Sequence, residues 1–569
     1  MPPGNVAVAS MMNLPRSFNS SLAGFALTAS LSVIHAANAG ELLNNGDTAI
    51  RLDTTLQYSA AVRLNKPDVA LITSPNADDG DRNFHQGFVS NRFDLLSELD
   101  VAFTNWGAAA SAAAWYDIVY NDKPGTQPTP ASFYPLPAEF ASDVRRLHGR
   151  DIELLNGFVY ANSEIGDTPV SIRVGRHTLL WGESLFFAEN GIAAGQSPVD
   201  SIKALSIPLA HAKEVYMPVA QVSGSLQFAP GFSLEAYYQF EWRRSRVPGS
   251  GSYFSAADFV DAGGVKVYVG RNQYLTRVSD EEPPQTGQYG VALRFTRGDT
   301  DFGFYALRFH AKDPQLYLRP VPTAAPARLE RPEAYGTGGG IFAGPSNPLQ
   351  FLDPNLVGTG TGPVGTYRVV FPQGIQMFGA SISGYLGDSN VAAEISTRRR
   401  APLVSRTLIE SVGVPADGDD HPLYARGDTL HGQISMVTAF APTRFWGAAN
   451  FSAEVAANQR LAVTTNPGAF DTTRSRFAAS ARAQFEPAYY AVLSGLDITL
   501  PITVSYAFTG RSSIDAGQIA GSGSVEFGIS ATYHAVWKGF LGMTTFIGGP
   551  TKQPFADRNF VSFNLQRTF

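Results

Sequence analysis

Residues 50–63 read IRLDTTLQYSAAVR, and apolar and polar side chains alternate along this stretch with a period of two residues. Residues 92–103 and 232–243 show the same alternation, and the second of them places Phe240 and Trp242 on the apolar face. Successive side chains of a β-strand point to opposite faces of a sheet, so each stretch predicts a strand with one apolar face. Their lengths fit tilted membrane-crossing strands, which need about 9 to 11 residues.

Short and long connections alternate between the predicted strands. Tight turns are predicted near residues 105–107, 166–168, 229–231, 297–300, 387–390, 441–443, 489–495 and 537–539. Long connections are predicted near residues 64–90, 121–152, 177–218, 244–287, 311–373, 399–428, 457–474, 510–521 and 548–558. Short periplasmic turns opposite long extracellular loops are typical of outer-membrane barrels. We therefore predict an all-β fold, a transmembrane antiparallel β-barrel of about 18 strands, or 16 if one weak hairpin is merged.

The composition agrees with a barrel. The chain has 38 Phe, 22 Tyr and 55 Gly among its 569 residues, and only 16% of the residues are charged. No apolar stretch reaches the 18 or more residues of a spanning helix, which excludes a helical membrane protein. Cysteine is absent, which excludes disulfides and thiolate chemistry. The tryptophans at 106, 446 and 537 lie beside predicted short turns, where an interfacial aromatic belt is expected.

The two ends of the chain carry export and assembly signals. Arg16 precedes an apolar run from Leu22 to Ile34, and small residues at positions 37 and 39 follow, so residues 1–39 are predicted to be a cleaved signal peptide. Residues 40–569 are then expected to form one barrel domain in the outer membrane. The last strand alternates apolar side chains toward Phe569, although Arg567 interrupts that pattern.

Motifs for enzyme or cofactor chemistry are weak. Residues 360–365 satisfy G-x-G-x-x-G, but Pro363 obstructs a dinucleotide-binding turn and no strand-to-helix context surrounds them. Residues 78–81 are rich in aspartate but lack the spacing of a calcium loop. His534 with Ser530 and Ser505 leaves a hydrolase open as an alternative, because catalytic triads are defined by geometry. We predict no catalytic residue, cofactor or metal, and the net charge of −6 disfavours nucleic acid as a partner.

Charged side chains recur on the polar strand faces, where they must face water or one another rather than lipid. They either brace the wall as ion pairs, which we favour, or filter solutes by charge. The predicted lumen charges are Arg51, Asp53, Arg92, Asp94, Glu98, Asp100, Arg173, Glu235, Glu241 and Arg294, and further ones are Arg63, Glu394, Arg398, Glu454 and Arg482. The basic pairs and triplets at 243–244 and 398–400 are candidates for contact with lipopolysaccharide phosphates, with a solvated rim as the simpler interpretation.

The connection 177–218 is too apolar for a soluble external loop. We predict that it folds into the lumen and narrows it, with an external cap or a protein contact as the alternative. Its predicted constriction residues are Leu179, Leu180, Trp181, Glu183, Leu185, Phe186 and Phe187.

Several segments also resemble domain-of-unknown-function family thirteen-oh-two, a proteobacterial group of outer-membrane proteins. The resemblance lies in GRHTLLWGES at 175–184, SPVDSIKAL at 197–205, KEVYMPVAQVSGSLQ at 213–227, DGDRNF at 79–84 and SNRFDLLSELD at 90–100. It implies a porin-like barrel that works beside periplasmic lipid-carrier-like proteins and pumps, and it favours hydrophobic or amphipathic cargo. It implies no reaction.

The leading hypothesis is therefore a channel or transporter for small, hydrophobic or amphipathic molecules. Its expected surroundings are outer-membrane lipid and lipopolysaccharide, a small-molecule solute, and periplasmic carrier or pump components. A surface scaffold that binds a partner through the loops 244–287 and 311–373 and an outer-membrane hydrolase are the alternatives.

Overall fold

A computed structural model describes residues 40–122, 139–206, 215–270, 273–320 and 362–569, so the predicted signal peptide at 1–39 lies outside the described residues. The strands are β1 (Gly40–Asn44), β2 (Thr48–Arg63), β3 (Gly87–Phe103), β4 (Trp106–Asp117), β5 (Arg150–Ile165), β6 (Thr168–His177), β7 (Val219–Ala229), β8 (Phe232–Gln239), β9 (Lys266–Gly270), β10 (Gln273–Arg277), β11 (Gln288–Arg297), β12 (Thr300–Phe309), β13 (Gln315–Pro320), β14 (Gly362–Val370), β15 (Ile375–Leu386), β16 (Ser389–Pro402), β17 (Leu408–Ile409), β18 (Arg426–Phe440), β19 (Ala448–Thr465), β20 (Phe477–Leu493), β21 (Leu496–Thr499), β22 (Ile502–Thr509), β23 (Gly523–Tyr533), β24 (Trp537–Ile547) and β25 (Phe560–Thr568). Four short helices lie in the connections, namely α1 (Asp79–Arg82), α2 (Ile118–Asn121), α3 (Ser142–Val144) and α4 (Ser201–Ser206). None of the helices in these ranges is long and apolar enough to span a membrane.

The wall is a closed antiparallel barrel of 18 strands, which confirms the predicted class and excludes the count of 16. Its strands are β2 to β8, β11, β12, β15, β16, β18, β19, β20, the broken strand β21–β22, and β23 to β25. The barrel closes where β2 pairs with β25, from Thr55 opposite Thr568 to Arg63 opposite Phe560. The strand formed by β21 and β22 is interrupted at Leu500–Pro501, because proline has no N–H to donate to a neighbouring strand.

The outer surface of the barrel is apolar. Leu56 and Phe93 expose about half of their side chains there, and similar residues recur around the wall. Trp106 stacks on Phe103 at the short-turn end, with 4.3 Å between ring centroids, and Trp537 begins β24 at the same end, as predicted. A closed barrel leaves no unpaired strand edge, so it can present such a surface to lipid. The protein is an outer-membrane β-barrel.

Arg567, which interrupts the alternation of the last strand, has a partner that the sequence did not reveal. Its guanidinium lies 5.1 Å from the ring centroid of Trp537 and 4.5 Å from that of Phe569. Trp537 is also its register partner across the β24–β25 pair. Stacking on two rings at the membrane interface explains how a cation occupies this position.

The long connections fold together at the extracellular end. Three of them supply a second sheet of five strands in the order β17-β13-β14-β10-β9. The prediction that Trp242 lies on the apolar face of a strand is wrong, because β8 ends at Gln239 and the chain then turns into this loop region. The Trp242 ring packs edge-on against Phe371 with 4.8 Å between centroids, and its indole N–H donates to the carbonyl of Ala311.

Buried ion pairs tie the loops to the rim of the wall. We call Arg63, Asp81, Asp557 and Arg558 the loop ion-pair network. Arg63 and Arg558 approach the two carboxylate oxygens of Asp81 at 2.8 and 2.9 Å, and all three side chains are at most 1% exposed. Arg63 also pairs with Asp557 at 2.9 Å. Part of the aspartate-rich stretch at 78–81 therefore serves ion pairing.

Candidate functional site

Residues 178–206, the described first part of the β6–β7 connection, are here called the Trp181 segment. Trp181 is 2% exposed, and its ring meets that of Tyr237 edge-on with 5.0 Å between centroids. The same cluster contains Ile192 and buried side chains of β11, β12 and β15, which alternate with lipid-exposed neighbours along those strands. The segment thus contacts side chains on the face of the wall opposite to lipid.

Glu454 of β19 binds the backbone of the segment. Its carboxylate is 1% exposed and accepts the backbone N–H groups of Leu185, Phe186 and Phe187 at 2.5 to 3.1 Å. Successive N–H groups that converge on one carboxylate form a concave anion-binding turn of the main chain. Three consecutive residues are fixed by one side chain.

Glu394 of β16 makes a second attachment. Its two oxygens accept the N–H groups of Glu183 at 2.6 Å and Ile192 at 2.9 Å. Gly182 has a φ of +95°, and a Cβ there or at Gly191 would lie within 2.3 Å of a Glu394 oxygen. These two glycines are required because the backbone must approach the carboxylate closely.

Arg398 of β16 makes a third attachment, to carbonyl groups of the segment rather than to N–H groups. One of its terminal nitrogens donates to the carbonyls of Glu189, Asn190 and Gly191 at 2.9 to 3.0 Å. We call Glu394, Arg398 and Glu454 the inner clamp. It holds the segment by side chain to backbone bonds, so apart from Gly182 and Gly191 it does not fix which side chains the segment carries.

A large cavity of about 4220 Å³ surrounds the segment. It is lined at one end by Thr104 and Asn105 of a short turn and at the other by Gln553 of a long loop. All seven residues predicted at the constriction line it, namely Leu179, Leu180, Trp181, Glu183, Leu185, Phe186 and Phe187. The Phe186 ring lies 5.3 Å below the guanidinium of Arg482. Apolar side chains and charged wall groups therefore share the same space.

Nine of the ten predicted lumen charges line the cavity, namely Arg51, Asp53, Arg92, Asp94, Glu98, Asp100, Arg173, Glu235 and Arg294. Three ion pairs join six of them, Arg51 with Asp53, Arg92 with Asp94, and Arg294 with Glu235, at 2.6 to 3.3 Å. Glu241 does not line the cavity. It follows the end of β8, where it pairs with Arg176 and accepts the backbone N–H of Ala220. These ion pairs join neighbouring charges of the wall, as expected for charges that brace it.

The predicted basic runs also have protein partners. Arg243 pairs with Glu153 at 2.7 Å, and Arg244 pairs with Glu282 at 2.8 Å. Arg400 pairs with Asp419 at 2.5 Å. Ion pairs with β5 and with loop residues therefore account for Arg243, Arg244 and Arg400.

The residues of the suggested hydrolase site are not assembled. His534 lies in the turn between β23 and β24, with its ring centroid 4.2 Å from that of Tyr533. Ser530 lies on β23 opposite Thr499, and Ser505 lies on β22 opposite Ser524. No hydrogen bond among the described residues joins either hydroxyl to His534. Within those ranges no group of three or more His, Cys, Asp and Glu side chains is arranged to hold a metal ion.

Sequence reasoning missed the clamp and several charged loop residues. It placed Glu394, Arg398 and Glu454 on the polar strand face but had no means of pairing them with backbone groups 202 to 269 positions away. It also missed Glu189, Asp313 and Asp515, which line the cavity from three different connections. Loops have no periodicity, so no sequence signal could have grouped these three residues.

Comparison with curated proteins finds no match. Among solved structures, the chain is similar to OccAB2 of Acinetobacter baumannii, with 10% identity and a TM-score of 0.40 over 91% of this chain and 98% of that one. It is also similar to OccD3 (OpdP) of Pseudomonas aeruginosa, with 9% identity and a TM-score of 0.38 over 93% of each chain. A third similar structure is OpdK of Pseudomonas aeruginosa with vanillate, at 9% identity and a TM-score of 0.36 over 91% of this chain and 98% of that one.

Those TM-scores are low, and the strand pairing described above establishes the fold independently of them. The family model described as "Protein of unknown function (DUF1302)" matches residues 18–569, nearly the whole chain. The chain belongs to this family.

Proposed function

We propose that the barrel is a channel for small molecules and that the Trp181 segment narrows its pathway. The observation that carries the proposal is the inner clamp, through which two buried wall carboxylates bind the backbone of one segment beside a large cavity. A buried carboxylate is costly unless it is hydrogen-bonded, and here the segment supplies the donors. Segment and wall therefore stabilise each other in this arrangement.

The cargo we propose is hydrophobic or amphipathic. Leu185, Phe186 and Phe187 line the cavity and keep part of their side chains exposed to it, although their backbone N–H groups are bound by Glu454. Small-molecule sites combine an apolar surface with a few polar groups that orient the ligand. An apolar patch beside the charged wall suits a solute that has an apolar part and a polar or charged part.

Reconstitution of the purified protein into planar bilayers and liposomes tests the channel. We expect ionic current from the wild type and a larger single-channel conductance from Trp181→Ala, because removing a buried tryptophan costs about 3–5 kcal/mol of local packing. Trp446→Ala is the matched control, since Trp446 lies in a short turn at the barrel rim. If neither the wild type nor Trp181→Ala conducts, the channel proposal is wrong.

Liposome uptake tests the cargo class separately. Permeation of an aryl glycoside is compared with that of a disaccharide of similar size, and the wild type is expected to favour the aryl compound. Phe186→Ser should reduce this preference while current persists, because it removes an apolar side chain that lines the cavity. Equal rates for both solutes in the wild type would show that the channel does not select apolar cargo.

A further inference from the structure

Charge is distributed unevenly between the cavity wall and the rest of the chain. Of the 45 acidic and 37 basic residues in the described ranges, 17 and 11 line the cavity, which leaves 28 and 26 elsewhere. Six of the eight negative charges in excess over these ranges therefore belong to residues that line the cavity. A lining with a net excess of one sign of charge concentrates counter-ions of the other sign.

Within this lining, Glu189, Asp313 and Asp515 come from three separate connections and are here called the loop acid group. Each side chain is exposed to the cavity that it lines. The three carboxylates are close enough to influence one another, since the charges of Asp313 and Asp515 help to raise the pKa of Glu189. The group thus brings carboxylates from three loops to the same cavity.

Two of the basic residues near this group, Lys312 and Arg398, are less accessible. Lys312 is 8% exposed, and its ammonium lies 5.2 Å from the ring centroid of Phe309. Arg398 donates to three backbone carbonyls of the Trp181 segment. A solute in the cavity therefore meets the carboxylates of the loop acid group more directly than these two cations.

We infer that the pathway selects cationic over anionic solutes and that the loop acid group is a main determinant of that selectivity. The inference rests on the proposed channel function and names the charge of its solutes. Rings of acidic side chains give cation selectivity in channels because they attract cations and repel anions before either enters the narrow part. A cationic amphipath would satisfy both this selectivity and the apolar patch of the Trp181 segment.

The test is the reversal potential of the reconstituted protein in a KCl gradient of about 0.03 to 0.1 M, where the Debye length is about 10 Å or more. We expect potassium to permeate more readily than chloride. The variant with Glu189→Gln, Asp313→Asn and Asp515→Asn should bring the permeability ratio closer to one by about twofold or more, because three charges leave the lining.

The matched control changes the same number of charges away from the cavity, at Glu41→Gln, Asp143→Asn and Asp420→Asn, which are exposed residues outside its lining. Its permeability ratio should equal that of the wild type. A wild-type preference for chloride, no preference, or an equal loss in both variants overturns the inference while the channel function stands. An absence of current from the wild type and from Trp181→Ala overturns the channel function itself.

Discussion

Two regions of the molecule bury carboxylates in different ways. In the loop ion-pair network, Asp81 is neutralised by Arg63 and Arg558, and Arg558 also donates to the carbonyls of Tyr253 and Ser255 in another loop. In the inner clamp, Glu394 and Glu454 are held by backbone N–H groups of one segment. The first region joins several loops through each side chain, whereas the second holds only the Trp181 segment. The difference implies that loss of the inner clamp would loosen residues 183–192 of the segment while the loops stay fixed.

The largest effect should come from breaking the loop ion-pair network. Arg558→Ala leaves Asp81 buried with one of its two arginines removed, and loss of one partner of a buried pair costs about 3–5 kcal/mol. We expect a lower unfolding temperature, measured by the heat-induced mobility shift of the folded barrel in detergent gels.

Arg444→Ala is the control for that variant, because Arg444 is exposed in a short turn. If both variants unfold at the same temperature, the network does not fix the loops and the contrast between the regions disappears.

A smaller and more local effect is expected from the inner clamp. Glu454→Gln weakens three hydrogen bonds to the segment, and an unsatisfied buried group costs about 1–3 kcal/mol. Single-channel recording should show a larger or more variable conductance, while the unfolding temperature of the barrel stays close to that of the wild type.

Two comparisons sharpen this result. Glu394→Gln should have a smaller effect because Glu394 accepts two N–H groups of the segment rather than three. Glu486→Gln should leave the conductance variability unchanged, because Glu486 lines the cavity but makes no hydrogen bond to the described part of the Trp181 segment. A large drop in unfolding temperature for Glu454→Gln would mean that the clamp supports the whole barrel.

The smallest effect concerns pH and the loop acid group. Glu189 is exposed only to the enclosed cavity, and the protein around it, together with the charges of Asp313 and Asp515, raises its pKa to about 7 against the opposing effect of Lys312 and Arg398. Burial lowers the pKa of Lys312 to about 8. As the pH rises through these values, Glu189 gains negative charge and Lys312 loses positive charge.

Potassium selectivity should therefore increase from about pH 6 to about pH 9 in reversal-potential measurements. In Glu189→Gln the part of this increase near pH 7 should vanish, while the part from Lys312 persists. A wild-type selectivity that falls over this range would contradict the assignment of these groups to the pathway.

The wall was predictable because its physical constraint is local and repeated. Apolar and polar side chains alternate at residues 50–63 because one face of the strand meets lipid and the other faces the interior of the barrel. Strands with this pattern could be counted in the sequence, together with the short turns and long loops between them. Trp242 shows a limit of the pattern. Apolar and polar residues continue to alternate past the end of β8, into a loop that turns away from lipid. The clamp was not predictable, because a carboxylate that binds a distant backbone leaves no pattern in either segment.

The seam between β2 and β25 has a consequence for how the barrel is made. The hydroxyls of Thr55 and Thr568 lie 2.9 Å apart although 513 positions separate them in the chain. Contacts between such distant residues form slowly, because a long loop must be closed before they contribute. Until then both strands present unpaired N–H and C=O groups, and such edges recruit other chains. The nascent barrel therefore exposes both of these edges until its last strand arrives.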